Sequence, residues 1–194
     1  MTVTGSAVVP PSTFALFPAG TPIVAQAGDL VLVRHGSVMA KIIRFGQRIR
    51  YRGDMRRWSW ANHAAIAVSN TSLIEQQARG GTLVSFADYV AEDVAVVHVS
   101  MTDSQRADVV AFTWWTLNIG YGWLSIAGIV WDLLTGFHLS IGSGLRMICS
   151  AAASRAIEHG GHFIPDRLPE VVMPADLCRM FNVVLPNNES EPPS

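Results

Sequence analysis

The spacing of apolar residues along the chain alternates between two periods, which predicts short strands interspersed with helices. Residues 30–33 form an uninterrupted apolar run, which is typical of a buried strand. The stretch that follows is apolar at every third or fourth position and predicts a helix with one apolar face. That face is formed by Val38, Ile42, Phe45 and Ile49.

Residues 64–68 and 72–77 flank a polar tripeptide and predict two strands joined by a hairpin turn at residues 69–71. The same patterns predict further strands at 82–84, 94–99 and 180–185, and a turn at 174–176. They also predict helices at 86–91, 104–118 and 148–159, with an N-cap signal at Thr102 for the second. Together they indicate an α+β fold, with a small, mostly antiparallel sheet packed against helices.

Length and composition indicate a single compact domain between two terminal segments. The chain has 194 residues, of which 49% are hydrophobic and 15% are charged. This is enough for one domain with its own core, which we assign to residues 23–185. Residues 1–22 are rich in Pro, Thr, Ser and Gly, and we expect an extended N-terminal segment there. Residues 186–194 are polar and rich in proline, and we expect a disordered tail.

The chain shows neither the pattern of a secretory signal nor a firm transmembrane helix. Residues 1–22 lack a basic start and an apolar core, and the apolar stretch 121–142 is interrupted by Asp132 and His138. These features favour the cytoplasm and leave peripheral membrane association open. Within that stretch, residues 123–141 predict a buried helix pair; a lid over a cleft or a shallow membrane contact are the alternatives.

Positive charge is concentrated in one part of the chain, although the net charge is only −1. Eight of the 14 Lys and Arg residues lie within residues 34–57, where Asp54 is the only acid. Lys41, Arg44 and Arg48 point away from the apolar face of the predicted helix. They form either a solvated surface or a contact for an anionic polymer or lipid. The net charge indicates no specific nucleic acid partner.

Cys149 stands at the predicted start of a helix, shortly after the glycine-containing stretch 142–144. The positive end of the helix dipole lowers the pKa of a thiol at this position, and free backbone N–H groups there can receive an oxyanion. Position alone favours a buried structural cysteine. Cys178 is distant in sequence, so we interpret both thiols as reduced.

His63 and Glu75 are the candidate partners of this thiol. His63 directly precedes the apolar run 64–68, so it lies at the start of a predicted strand. An imidazole can take a thiol proton near neutral pH. Taken alone, His63 is more typical of a structural histidine. If the turn lies at residues 69–71, antiparallel pairing brings the Glu75 carboxylate back to the imidazole and orients it. Gln76 or Gln77 takes that role if the register is shifted.

Four short segments resemble a known family when they are taken together. They are Gly28-Asp29-Leu30, residues 62–68 around His63, Leu73-Ile74-Glu75 with the following Gly80-Gly81, and Cys149-Ser150. In this order they resemble the circularly permuted NlpC-type papain-like proteins, and within these the YiiX-like branch. In that group the histidine strand precedes the nucleophilic cysteine, as it does here. The resemblance covers about residues 27–160.

The resemblance implies a permuted papain-like fold and a Cys-His-polar triad that acts on amide or ester bonds. Carried over, it makes Cys149 the nucleophile, His63 the base and Glu75, or else Gln76, the orienting group. It also implies that Tyr121, in Gly120-Tyr121-Gly122, and Ser150 lie near the oxyanion and substrate.

The expected activity is hydrolysis of amide bonds, as in cell-wall peptides, through a thioester acyl-enzyme. The expected substrate is a peptide, a peptidoglycan fragment or a lipid-like molecule. One alternative is a lipid amide or ester hydrolase, or an acyltransferase, at a membrane surface. Another is a catalytically inert binding module of the same fold. No cofactor or metal is expected, since His159, His162 and Cys178 lack the number and spacing of metal ligands.

Overall fold

A six-stranded antiparallel sheet forms the centre of the structure, which is a computed structural model. It describes residues 11–36, 38–77, 80–118, 120–121, 146–147, 149–162 and 172–185. The sheet order is β1-β6-β2-β3-β4-β5, and every neighbouring pair is antiparallel. Its strands are β1 (Ser12–Phe17), β2 (Leu30–Arg34), β3 (His63–Ala67), β4 (Ser72–Gln77), β5 (Gly80–Ser85) and β6 (Asp93–Val99). The predicted α+β class with a mostly antiparallel sheet is confirmed.

The described helices also follow most of the predicted pattern. They are α1 (Val38–Arg50), α2 (Asp103–Trp115), α3 (Cys149–His159) and α4 (Pro174–Met180), with 3₁₀ helices at Gly53–Trp58, Phe86–Tyr89 and Thr116–Asn118. Helix α2 begins as predicted, because the Thr102 hydroxyl accepts a hydrogen bond from the backbone N–H of Gln105 at 3.2 Å. A separate pair of short parallel strands, β7 (Gly120–Tyr121) and β8 (Arg146–Met147), leads to the start of α3.

The two faces of the sheet are covered by different parts of the chain, because successive strand residues point to opposite sides. One face packs against α2, α3 and α4, and we call it the helix side. Its core includes Leu30, Leu32, Ala64, Ile66, Val109, Ala156, Ile157 and Leu177. The opposite face is covered in part by the 3₁₀ helix Phe86–Tyr89. Its core includes Val31, Val33, Ala65, Ala67, Leu73, Phe86 and Tyr89.

The buried carboxylate of Asp29 ties β2, β6 and α2 together. Asp29 is fully buried, and its oxygens accept hydrogen bonds from the N–H of Gln26 (2.8 Å) and the guanidinium of Arg106 (2.9 Å) and bond the His98 ring (2.8 Å). Such partners offset the cost of burying a charge. Gly28 has a φ of 88°, and a Cβ there would stand 2.6 Å from the Arg106 side chain. The Gly-Asp-Leu segment therefore has a structural role here.

The structure corrects the prediction at both ends of the domain. Part of the extended N-terminal segment, Ser12–Phe17, is strand β1 and pairs with β6, so the sheet begins before residue 23. At the other end, residues 174–180 form a helix rather than a turn, because Pro174 starts it and the Asp176 carboxylate accepts the N–H of Met173 at 2.9 Å. The predicted strand at 180–185 is wrong: Asn182 adopts a positive φ of 52°, which reverses the chain.

Helix α1 forms as predicted, but Phe45 on its predicted apolar face does not pack against the rest of the protein. Phe45 is 66% exposed, whereas the polar Gln47 is fully buried. The Gln47 amide donates to the carbonyl of Ala61 and accepts from the N–H of Ala175, both at 2.8 Å. A satisfied amide therefore anchors the helix, and Phe45 faces outward.

Three predicted segments lie wholly or partly outside the described residues: the start of the N-terminal segment (1–10), the apolar segment 123–141 and the tail 186–194. Among the residues that the structure does describe, no helix has the length and apolar character needed to cross a bilayer.

Gly81 lies where β5 meets the 3₁₀ helix Thr116–Asn118, and no side chain fits there. A Cβ at Gly81 would stand 2.3 Å from the backbone oxygen of Thr116. We expect Gly81→Ala to lower the free energy of unfolding by about 1–3 kcal/mol, measured by urea denaturation. Gly36→Ala is the matched control, because a Cβ there meets no atom within 4 Å; it should change stability by less than about 0.5 kcal/mol. Equal effects would show that this contact is not tight.

Candidate active site

The hairpin of β3 and β4 brings Glu75 back to His63, as the spacing of the two strands predicts. The ladder pairs Ala65 with Glu75 and Ala67 with Leu73, so His63 and Glu75 point to the same face of the sheet. The His63 Nε2 is hydrogen-bonded to the Glu75 Oε2. The side chains are 14% and 2% exposed, so this pair lies in a largely dry environment.

Two further donors surround the Glu75 carboxylate. The Tyr89 hydroxyl donates to Oε2, and the Gln77 amide donates to Oε1. Burial by itself raises the pKa of Glu75, but the hydrogen bonds and the charge of His63 outweigh it and lower the pKa to about 2. The carboxylate is therefore ionised across the range of ordinary pH.

The sequence pattern indicated the hairpin but not Tyr89. This residue lies in the 3₁₀ helix after β5, a strand that is not adjacent to β3. The sequence pattern offers Gln77 only as a replacement for Glu75, whereas in the structure Gln77 donates a hydrogen bond to Glu75. Gln76 points to the helix side, where its amide donates to the carbonyl of Thr116 at 3.1 Å. The structure therefore pairs Glu75, and not Gln76, with His63.

The sheet opens beside His63, because β4 separates from β3 after Glu75. The β3–β4 ladder spans only Ala65–Ala67, while β4 continues to Gln77 in pairing with β5. Among the described residues, His63 and Ala64 consequently have no partner in β4. Cys149, the first residue of α3, lies at this opening from the helix side. The backbone N–H groups of Ala64 and Ser150 lie close enough to its sulfur to lower the pKa of the thiol.

Cys149 and His63 stabilise each other's charged forms. Burial raises the pKa of the Cys149 thiol, but the charge and hydrogen bond of His63, with the two backbone N–H groups, outweigh it and lower that pKa. Burial likewise lowers the pKa of His63, but the Cys149 thiolate and the Glu75 carboxylate raise it to about 10. Because Glu75 occupies Nε2, Nδ1 is the ring nitrogen that remains available for proton exchange with the thiol. The arrangement favours a thiolate–imidazolium pair.

The two residues expected near an oxyanion are placed differently. The Ser150 hydroxyl is fully buried and donates to the carbonyl of Val172 at 2.6 Å, so only its backbone N–H faces the sulfur. Tyr121 is described by its backbone alone, which pairs with Met147, two residues before Cys149. A role of the Tyr121 hydroxyl stays a prediction.

A second histidine–carboxylate pair lies next to the first, and the sequence pattern did not indicate it. His35 Nδ1 lies 2.8 Å from Glu92 Oε1, and its ring centroid is 6.2 Å from that of His63 and 5.7 Å from that of Tyr89. The Asn62 side chain holds the His35 backbone with two hydrogen bonds of 2.8 and 2.9 Å. Because the His35 side chain is 41% exposed, it forms a polar rim beside the buried triad.

Cys178 provides a contrast within the same chain. Cys149 and Cys178 are both buried and are not joined to each other. Cys178 is fully buried in α4, and burial raises its pKa. Within the described ranges, no three or more His, Cys, Asp or Glu side chains converge as a metal site would require.

The charges at the site predict a specific labelling pattern. We expect iodoacetamide to alkylate Cys149 much faster than Cys178 near pH 6, because the Cys149 thiolate is paired with an imidazolium whose pKa is about 10. His63→Ala removes that partner, and labelling of Cys149 near pH 6 should fall by about 10- to 100-fold. Peptide mass spectrometry resolves the two thiols, with Cys178 as the internal reference. Equal, slow labelling of both would contradict an activated Cys149.

Comparison with known proteins does not assign this chain to a family. No protein-family model matches the chain, and no curated protein matches it either.

Proposed function

We propose that this protein is a cysteine hydrolase that cleaves amide bonds through a thioester acyl-enzyme. The observation that carries the proposal is the placement of the His63 imidazole, which is hydrogen-bonded to the Glu75 carboxylate and close enough to the Cys149 thiol for each to shift the pKa of the other. A nucleophile, a base and an orienting carboxylate in this order are the requirements of acyl transfer by a thiol.

In the proposed reaction the Cys149 thiolate attacks the carbonyl carbon and forms a tetrahedral intermediate. The N–H groups of Ala64 and Ser150 already face the sulfur, so they are the nearest backbone donors for the oxyanion. The His63 imidazolium then protonates the leaving amine, and a thioester remains on Cys149. His63, now neutral, takes a proton from water, which attacks the thioester and releases the acid.

The order and placement of these residues support a permuted papain-like fold. His63 and Glu75 lie on adjacent antiparallel strands that precede the cysteine in sequence, and Cys149 begins a helix that packs on that sheet. This is the arrangement that the resemblance to the NlpC-type proteins implies. A cell-wall peptide or similar amide is the substrate class we propose on this basis.

A second candidate function is a lipid amide or ester hydrolase, or an acyltransferase, at an anionic surface. One observation favours it: Phe45 is 66% exposed on α1, and the exposed Lys41 lies one helical turn before it. Arg44 and Arg48 lie on the same helix and add positive charge to that region. An exposed aromatic ring among cations is typical of helices that bind anionic membrane surfaces.

Replacement of the nucleophile tests the primary proposal. We expect purified protein to release amines from a panel of peptidoglycan stem peptides and N-acyl amides, and Cys149→Ala to reduce that rate by about 1,000-fold or more. Intact-protein mass spectrometry should detect the acylated enzyme in the wild type. Cys178→Ala is the matched control and should retain activity. Activity that persists in Cys149→Ala would eliminate the mechanism, and no turnover of any substrate would favour an inert binding module.

Vesicle binding tests the second candidate. We expect the protein to sediment with phosphatidylglycerol vesicles but not with phosphatidylcholine vesicles, and the binding to weaken as salt is added. Phe45→Ala should reduce the partition coefficient by about tenfold, because one aromatic side chain is no longer buried in lipid. Phe14→Ala, which truncates an exposed phenylalanine on the edge strand β1, should leave it unchanged. Equal effects of both substitutions would contradict a lipid contact through α1.

A further inference from the structure

Tyr89 approaches the triad from an element that the mechanism above does not use. It is only 3% exposed, and its hydroxyl donates to the same Glu75 oxygen that bonds His63. The 3₁₀ helix that carries it is held by its own backbone: the N–H of Phe86 donates to Thr71 at 3.0 Å, and the carbonyl of Tyr89 accepts from Glu92 at 3.0 Å. The phenol is therefore presented to Glu75 in a defined direction.

Every hydrogen bond described for the Glu75 carboxylate comes from one of three donors. His63 and Tyr89 bond Oε2, and Gln77 donates to Oε1. A carboxylate in so dry a place would take up a proton without donors, because burial disfavours the charged form. A protonated Glu75 would no longer stabilise a positive charge on His63.

We propose that Tyr89 is a positioning residue of the triad, which together with Gln77 holds Glu75 as a carboxylate directed at His63. The inference rests on the proposed function, since it assigns Tyr89 a role through the His63–Cys149 pair. Tyr89 itself stays neutral, because burial and the nearby Glu75 charge raise its pKa. It therefore acts only as a hydrogen-bond donor.

The other charged groups near Glu75 are few within the described part of the chain. His63 faces it from β3, Cys149 interacts through His63 from α3, and Asp88 lies on the same 3₁₀ helix as Tyr89. The His35–Glu92 pair lies beyond the Tyr89 ring. None of these groups donates to the Glu75 oxygens in place of Tyr89, so loss of the phenol hydroxyl leaves Oε2 with His63 alone.

The test is the pH profile of Cys149 alkylation in Tyr89→Phe. Tyr89 stabilises the anionic form of Glu75, so its loss raises the pH at which Glu75 takes up a proton and the thiolate–imidazolium pair collapses. The alkylation rate of Cys149 falls at low pH, and we call this fall the acid limb of the profile. We expect its midpoint to move upward by about one pH unit. Tyr51→Phe is the matched control: Tyr51 is 4% exposed and donates to the Asp176 carboxylate rather than to Glu75. It should leave the acid limb unchanged, whatever it does to stability.

Gln77→Met is a second variant that tests the same dependence on hydrogen-bond donors to Glu75 if Tyr89→Phe fails to fold. Gln77 is exposed at the end of β4, so the variant should fold, and it removes the donor to Oε1. It should also move the acid limb upward, and an unchanged limb in folded Tyr89→Phe or in Gln77→Met would overturn the proposal. Failure of the proposed function has a different signature, because Cys149 of the wild type would then titrate like an ordinary thiol.

Discussion

The candidate site depends on one buried carboxylate, that of Glu75. A charge in this position is unfavourable unless every part of it is compensated, and Glu75 is compensated by an imidazole, a phenol and an amide. Each donor comes from a different segment, so the carboxylate fixes where β3, the end of β4 and the 3₁₀ helix after β5 lie relative to one another. The Cys149 thiolate and, after it, the Glu75 carboxylate raise the pKa of His63, and the imidazolium in turn lowers the pKa of Cys149.

The β3–β4 ladder ends at Ala65 and Glu75. This opening in the sheet lets Cys149, on a helix on the other side, approach His63. In a continuous ladder, the N–H of Ala64 would bond to β4, and the sheet would separate His63 from α3. Because β4 separates after Glu75, the Ala64 N–H is available to the Cys149 sulfur. A backbone group released from the sheet and one at the start of α3 thus converge on the Cys149 sulfur, where both stabilise the thiolate.

Residues of the same types as those in the candidate site occur elsewhere in the chain in purely structural surroundings. Cys178 is buried without a cationic partner among the groups that shift its pKa, and that pKa is raised. Asp29 is buried as deeply as Glu75, but it bonds Arg106 and joins strands to a helix. Tyr51 donates to Asp176 as Tyr89 donates to Glu75. Residue type and burial alone do not distinguish these pairs; the presence of a thiol next to the histidine does.

Apolar periodicity and a short turn between adjacent strands are enough to predict most of the local elements, the α+β class and the meeting of His63 with Glu75. Contacts between distant segments place Tyr89 and Gln77 around Glu75, bring the Ala64 N–H to Cys149, and turn Phe45 outward while Gln47 is buried. Such contacts also add residues 12–17 to the sheet and make residues 174–180 a helix. These features depend on contacts between segments far apart in the chain, and the period of a single segment carries no information about which distant partner will satisfy its polar groups.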